Sequence, residues 1–250
     1  MEMNISKPPI REALVDIRFN FGADKPNYSV FEKIHDQIKA DFPKKQVIKW
    51  GQFSLDMRPE NKQPVVETSS GENGFRFDSA DGTRIVQFRT DGFTYSKLKP
   101  YTGWEDFSSE AKKLFELYVG VTSPISVSRI ALRYINLIEI PEKSFELEKY
   151  FTISPIIPKD LPDHIVGYIN RVMLKDDTNN VLGVLTQTID PKQATSDNNV
   201  PFIFDIDVFI ENVALDHKDE HFWEKFLPLR ELKNKMFDLG LTDVAKKMFE

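Results

Sequence analysis

The chain has 250 residues, of which 40% are hydrophobic and 29% are charged, and its formal net charge is −6. This composition excludes a disordered chain and a collagen-like or coiled-coil protein. Because the chain contains no cysteine, it cannot form disulfides, thiolate zinc sites or iron–sulfur clusters, and it has no cysteine nucleophile.

The first hundred residues alternate between the periods of strands and helices. Glu12 to Phe21 places apolar side chains at every second position, which predicts a half-buried strand. Residues 28–42 change to helical spacing and end at Pro43. Between Val47 and Leu98 the period of two returns in five short apolar runs, and Asp81-Gly82 and Asp91-Gly92 provide hairpin turns. The sequence therefore predicts an antiparallel meander here, with strands around Phe53–Met57, Val65–Val66, Phe75–Phe77, Ile85–Phe88 and Phe93–Tyr95.

The second half repeats this plan after an amphipathic helix over 104–119. Long strands are predicted over Val127–Ile140 and Pro201–Val213, and a hairpin over Ile165–Leu174 and Val181–Ile189. A closing helix over His221–Leu239, kinked at Pro228 and capped by Gly240, leads to a short final helix that Thr242 begins. Pro191 to Val200 is polar and is expected to be a mobile loop.

These elements predict an α+β protein with a mostly antiparallel β-sheet and about three main helices. Its two sheet-plus-helix halves would be residues 1–122 and 123–250, forming either two units or one integrated domain. No run approaches 18 uninterrupted apolar residues, and the N-terminus lacks the apolar core of a signal peptide. We therefore expect a cytoplasmic protein with no membrane association.

Four segments resemble a sporadically distributed, uncharacterised prokaryotic protein family. They are the N-terminal P-P-I-x-E-A-x-x-D-I-R-F, residues 84–88, the strand R-x-x-L-R-Y-I-N, and the closing strand and helix through Phe249. The resemblance implies no reaction or ligand. The patchy spread of the family is similar to that of mobile or defence-associated genes, which implies a partner from a defence or toxin–antitoxin operon.

The strand 129–140 carries the candidate site. Arg129 and Arg133 share one face, a spacing suited to a carboxylate or phosphate, and Asp205 and Asp207 share a face of their own strand. Charges among bulky apolar side chains need partners, so the pattern favours structural ion pairs between these arginines and aspartates. The alternative is a small-anion or nucleotide site, or a hydrolytic one, formed by Arg129, Arg133, Tyr134, Asn136, Asp205 and Asp207.

Other sites find less support. His217 and His221 have the i, i+4 spacing of zinc proteases, but Lys218 stands where the catalytic glutamate should follow, so we expect no metal and no cofactor. His35 and His164 are isolated. The nucleophile elbow, the P-loop and the Rossmann fingerprint are all missing, and we predict no catalytic residue. Two carboxylates, Asp205 and Asp207, are too few donors for a cation site.

The remaining choice concerns the kind of partner. Phe53, Phe75, Phe77, Phe88, Phe93 and Tyr95 could form a base-stacking platform, but a sheet that faces helices needs these residues in its core. No basic stripe is denser than Lys44-Lys45 with Lys49, which argues against nucleic acid. The favoured hypothesis is a non-enzymatic interaction or regulatory protein that binds a protein partner or self-associates. The alternative is the small-anion site around Arg129 and Arg133.

Overall fold

The computed structural model describes most of the chain. The described residues are 7–23, 25–27, 29–56, 65–141, 146–156, 158, 160–161, 165, 167–193 and 199–250, and for 52–56, 65–69 and 193 only the backbone is described. In this part of the chain no helix is long and apolar enough to cross a membrane.

Nine strands form one antiparallel sheet, which confirms the predicted α+β class. The strands are β1 (Ile10–Asn20), β2 (Lys44–Asp56), β3 (Val65–Asp78), β4 (Arg84–Arg89), β5 (Gly92–Leu98), β6 (Ser126–Ile140), β7 (Ile169–Asp176), β8 (Val181–Ile189) and β9 (Val200–Leu215). The helices are α1 (Val30–Ile38), α2 (Trp104–Thr122), α3 (Leu147–Tyr150), α4 (Leu227–Gly240) and α5 (Asp243–Lys246).

The strand order is β2-β3-β4-β5-β1-β6-β9-β8-β7. Each half of the chain therefore begins at the centre of the sheet, with β1 or β6. It then passes through a helix to an edge strand, returns through neighbouring strands to the centre, and ends in a long helix. β1 and β6 pair with each other along their length, so the two halves share a single sheet.

All five helices lie on one face of this sheet. The α2 ring of Tyr118 stacks on Phe19 of β1, Phe31 of α1 lies against Phe88 of β4, and α4 packs closely over Gly183 of β8. The aromatic residues predicted for the inner face are buried here: Phe75, Phe77, Phe88, Phe93 and Tyr95. Phe53 lies outside the described side chains.

Several predicted boundaries differ from the structure. The first helix covers Val30–Ile38 rather than 28–42, since residues 39–42 form a turn. The two short runs at Val65–Val66 and Phe75–Phe77 belong to one strand, β3, because its polar middle still pairs with β2. The first hairpin strand begins at Ile169 instead of Ile165.

The closing segment differs from the prediction of a single helix over His221–Leu239 that is kinked at Pro228. Residues Phe222–Phe226 make a 3-10 helix, and α4 starts at Leu227 with Pro228 in its first turn. Proline lacks a backbone donor, and at this position of a helix none is needed, so Pro228 begins the helix and does not kink it. Thr242 caps α5 as predicted, since its hydroxyl accepts a hydrogen bond from the Ala245 backbone amide. Of the predicted loop, 191–193 form a 3-10 turn and 194–198 lie outside the described residues.

Candidate functional site

The candidate site lies on the face of the sheet opposite the helices, which we call the open face. Strand register brings its residues into rows that run across the sheet. One row contains Thr94, Asp16, Ala131 and Phe209, and the next contains Ser96, Leu14, Arg133 and Asp207. Two stretches of chain that are more than a hundred residues apart therefore meet at the β1–β6 seam.

Asp16 is the centre of the charged part of this face. Its Oδ2 atom accepts hydrogen bonds from Arg89 Nη2 at 2.8 Å and from the Thr94 hydroxyl at 2.7 Å. Its Oδ1 atom accepts from Arg18 Nε at 3.0 Å and from Arg129 Nη1 at 3.1 Å. Four donors thus satisfy one carboxylate that is only 8% exposed.

The charge of Asp16 is kept despite this burial. Desolvation would raise the pKa of Asp16, but Arg89, Arg18 and the Thr94 hydroxyl outweigh it and hold the pKa below its usual range. A buried carboxylate with three guanidinium partners stays ionised. Asp91, in the turn before β5, extends the cluster by binding Arg18 Nη1 at 2.5 Å.

The neighbouring pair is Arg133 with Asp205. Arg133 donates through Nε at 2.9 Å and through Nη2 at 2.6 Å to the two carboxylate oxygens, which is a bidentate contact. Asp205 is 9% exposed, whereas 43% of the Arg133 side chain reaches solvent. The arginine therefore satisfies a buried carboxylate and keeps one side in water.

Asp207 is held more loosely. The Asp207 carboxylate lies 3.6 Å from Arg129 Nη2. Arg133 is its direct neighbour across the β6–β9 pair, but among the described residues the Arg133 guanidinium forms its ion pair with Asp205. Burial raises the pKa of Asp207, Arg129 and Arg133 oppose this shift, and the nearby Asp205 and Asp16 add to it. Asp207 therefore takes up a proton more readily than Asp16 does.

Tyr134 and Asn136 do not join these residues. Both point to the helix side of the sheet, as expected from their even positions beside Arg129 and Arg133. The Tyr134 hydroxyl lies 3.1 Å from the Tyr101 hydroxyl, and Lys233 Nζ lies 4.1 Å from the centre of its ring. Asn136 donates to the Phe204 carbonyl at 2.9 Å. The structure brings Arg129, Arg133, Asp205 and Asp207 together and separates them from Tyr134 and Asn136.

An apolar cluster adjoins the charges on the open face. Ala131, Val184 and Phe209 are buried, and Leu182 packs against them. The Arg129 guanidinium lies over the Phe209 ring at 4.6 Å, so the charged and apolar groups touch. This cluster is separate from the main core, because the sheet itself lies between them.

The described histidines lie apart from one another. Residues 216–221 form turns and not a helix, so the spacing of His217 and His221 does not place both rings on one helical face. His221 is exposed and its Nδ1 contacts Glu224 at 3.0 Å, while burial lowers the pKa of His217. His35 stacks on Phe77 at 4.7 Å, and His164 lies outside the described residues. Within the described ranges no group of three acidic or histidine side chains is placed to hold a metal ion.

Two surface clefts lie on the helix side, away from the charged residues. One of about 480 Å³ lies between α2 and residues 217–223, with Phe115, His217 and Trp223 in its wall. The other, of about 550 Å³, lies between the end of α1 and α2, beside the Arg84–Glu110 ion pair. Neither contacts Arg129, Arg133, Asp205 or Asp207.

Three residues of the site were not predicted from the sequence: Asp16, Arg89 and Arg18. Asp16 and Arg18 do share a face of their strand, with apolar neighbours on both sides, and this is the signal that singled out Arg129 and Arg133. Arg89 had no such signal, because it ends a short strand and reaches Asp16 only through strand pairing.

Comparison with known proteins adds no assignment. No protein-family model matches the chain, and no curated protein matches it significantly.

Proposed function

We propose that this chain is a non-enzymatic interaction or regulatory protein of the sporadic prokaryotic family that it resembles. In this proposal it acts in the cytoplasm through its open face, and its partner is the product of a neighbouring gene in a defence or toxin–antitoxin type operon. The observation that carries the proposal is that carboxylates of the same chain already bind the guanidinium groups of the open face.

This internal pairing weakens the case for an anion or nucleotide ligand. Arg18, Arg89 and Arg129 contact Asp16, and Arg133 contacts Asp205. An incoming phosphate would have to displace a carboxylate that is already desolvated and held by two to four donors. Since the pairs balance each other, the face offers little net positive charge to a polyanion.

The composition of the open face suits a protein partner. Half-buried apolar side chains lie directly beside the paired charges: Leu14, Ile135, Leu137 and Ile203. Protein interfaces combine apolar patches with arginines whose charges are satisfied. In the described part of the chain no helix covers this surface, which supports its use by another chain.

The test is co-expression with the product of each neighbouring gene, followed by size-exclusion chromatography. We expect one product to co-elute with the chain. Ile135→Glu, on the open face, should abolish the complex, and the matched control Leu239→Glu, on the exposed surface of α4, should leave it intact. A complex that survives Ile135→Glu and is lost in Leu239→Glu would contradict the proposal.

The alternative function has its own test. Inorganic phosphate and nucleoside triphosphates are added at millimolar concentration and the melting temperature is measured. We expect no shift, since the arginines are already paired. A clear rise that Arg133→Ala abolishes would favour the small-anion site.

A further inference from the structure

The last strand of the sheet, β7, pairs on one side only. It pairs with β8, and among the described residues no strand lies along its other edge. Three of its eight residues are exposed apolar side chains: Ile169 at 76%, Met173 at 59% and Leu174 at 43%. An edge strand with this much exposed apolar surface is a template for pairing with another strand.

The open-face side of β7 has a regular pattern. Ile169, Arg171, Met173 and Lys175 alternate apolar and cationic side chains along it. Met173 lies opposite Val184 and Lys175 lies opposite Leu182, so this row continues directly from the apolar cluster of the open face. Among the described residues Arg171 has no acidic partner, and Lys175 pairs with the exposed Asp177 at 2.9 Å.

We propose that β7 receives a tenth strand, contributed by an extended segment of the protein partner. This inference rests on the proposed function and adds the mode of binding. Main-chain hydrogen bonds to the unpaired edge would supply affinity, and alternate side chains would supply specificity. Charge complementarity fixes the segment's chemistry: acidic residues opposite Arg171 and Lys175, and apolar residues opposite Ile169 and Met173.

A second copy of this chain fits the edge less well. A two-fold pairing about Met173 would join the two apolar rows. The same register would place Arg171 of each copy opposite Lys175 of the other. Like charges directly opposite each other destabilise a strand pair, so these two cations disfavour self-pairing and select an acidic partner.

Nucleic acid is also a poorer occupant than an acidic peptide. The strand offers two cations and no aromatic side chain for stacking; Asp176 is its last residue and Asp177 follows it. Single-stranded nucleic acid is bound by basic grooves with aromatic platforms, and β7 provides neither.

The experiment uses two fluorescein-labelled peptides of nine residues. The first repeats the unit Glu-Thr-Val-Thr and ends in Glu. The second has the same sequence with Lys in place of each Glu. Fluorescence anisotropy measures their binding to the full chain, and hydrogen–deuterium exchange measures the amides of residues 169–176. We expect the Glu peptide to bind with a Kd below about 1 mM and to slow exchange in β7. The Lys peptide should bind at least tenfold more weakly.

Charge reversal gives the specific control. The double variant Arg171→Glu with Lys175→Glu should lose at least tenfold in affinity for the Glu peptide and gain affinity for the Lys peptide. Lys44→Glu, at the opposite edge of the sheet, should change neither. Circular dichroism melts establish that each variant is folded, which we expect because these side chains are exposed.

The inference is overturned if the two peptides bind equally, if neither binds below about 1 mM, or if exchange in 169–176 is unchanged. Tighter binding of an oligouridylate that depends on Arg171 and Lys175 would also overturn it, in favour of nucleic acid. Failure here differs from failure of the proposed function. A partner complex lost in Ile135→Glu but retained in Met173→Lys would keep the open face as the docking surface and remove the edge strand from it.

Discussion

Individual carboxylates on the open face differ mainly in how many donors they receive. Asp16 accepts four hydrogen bonds, and the bidentate contact from Arg133 satisfies Asp205. Asp207 has a single cation at 3.6 Å. The more donors a buried carboxylate has, the more its charged form is favoured over the neutral one.

Asp16→Asn should therefore change the pH dependence of stability. Because the pKa of Asp16 is lower in the folded chain, below about pH 4 the unfolded chain binds a proton that the folded chain does not. This carboxylate thus stabilises the fold above pH 4, and its contribution falls as the pH drops. In the variant that part of the acid sensitivity should disappear. At pH 7 it should lose about 3–5 kcal/mol, because buried Arg89 loses its closest carboxylate and keeps only the longer contact with Asp91, at 3.3 Å.

Urea unfolding at pH 3.5, 5 and 7 measures both effects. Asp36→Asn is the control, since Asp36 is exposed on α1 and lies outside the network. An Asp16→Asn variant with the same pH profile as the parent chain would show that the arginines do not hold the charge.

Arg133→Ala should destabilise the fold by about 1–3 kcal/mol, because it leaves the Asp205 carboxylate buried and unpaired. Because one side of Arg133 is exposed to solvent, the expected loss of stability is smaller than for a fully buried ion pair. Thermal melts measure it, and the double variant Arg133→Ala with Asp205→Asn should recover part of the loss. If Arg133→Ala leaves the melting temperature unchanged, the pair has no structural role.

Replacing Lys233 should stabilise the chain, whereas the two substitutions above should destabilise it. Burial lowers the pKa of Lys233 to about 8, with a smaller contribution from Arg230. Between about pH 8 and the ordinary lysine value near 10.4, the unfolded chain holds a proton that the folded chain has released, so this group makes stability rise with pH. Lys233→Met should stabilise the chain at pH 7, and the gain should shrink by pH 9.5. Urea unfolding at both pH values checks this, and a gain that grows with pH would contradict it.

At the scale of elements, backbone approach between strands matters as much as side-chain pattern. Gly74 of β3 has φ +149°, and a Cβ atom there would lie 2.0 Å from the Phe88 carbonyl oxygen of β4. Only glycine permits this approach, which lies beside a register irregularity between β2 and β3.

Gly74→Ala should therefore destabilise the chain by more than about 2 kcal/mol, since the backbone of two strands must move apart. Gly82→Ala is the matched control: its φ of +71° is strained for alanine, but nothing lies within 4 Å of the added atom. The control should lose only about 1–2 kcal/mol. Chemical denaturation gives both values, and equal losses would mean that the close contact at Gly74 relaxes freely.

Element positions were largely predictable because period and turn chemistry are local. Val181–Ile189 was predicted with the bounds that the structure has, and Trp104 begins its helix as expected. The form of the segment after His221 was not predictable, because a 3-10 turn and an α-helix use nearly the same apolar spacing over five residues. Pro228 does mark a helix boundary, but it lies in the first turn of α4, whereas the sequence predicts a kink there.

The molecule as a whole is organised about the β1–β6 seam. Rings from both halves also meet on the helix side, where Phe115 of α2 stacks on Phe222 at 5.4 Å and on Phe19 at 6.0 Å. Neither half can lose its structure without exposing apolar surface of the other. Strand order decides this arrangement, and strand order is a long-range property that periodicity does not encode. For the same reason the sequence did not identify Asp16 as the partner of Arg129, although both residues lie on the polar face of an alternating strand.

We therefore expect the chain to unfold in one cooperative transition. Differential scanning calorimetry should give a calorimetric enthalpy equal to the van't Hoff enthalpy. Two separate peaks, or a ratio well above one, would mean that residues 1–122 and 123–250 unfold independently and that the seam couples them weakly.

The position of β1 at the centre of the sheet has a consequence for synthesis. Its neighbour β6 ends about 120 residues later in the chain, so at 5–20 residues per second β1 waits roughly 6–24 s on the ribosome for its second neighbour. Once β5 has paired with it, β1 is a temporary edge of the sheet for the rest of that interval. Asp16 and Arg18 lie on the uncovered side of that edge, and charged side chains there discourage pairing with a neighbouring nascent chain. The residues that form the mature ion-pair network would thus also protect the half-made sheet from aggregation.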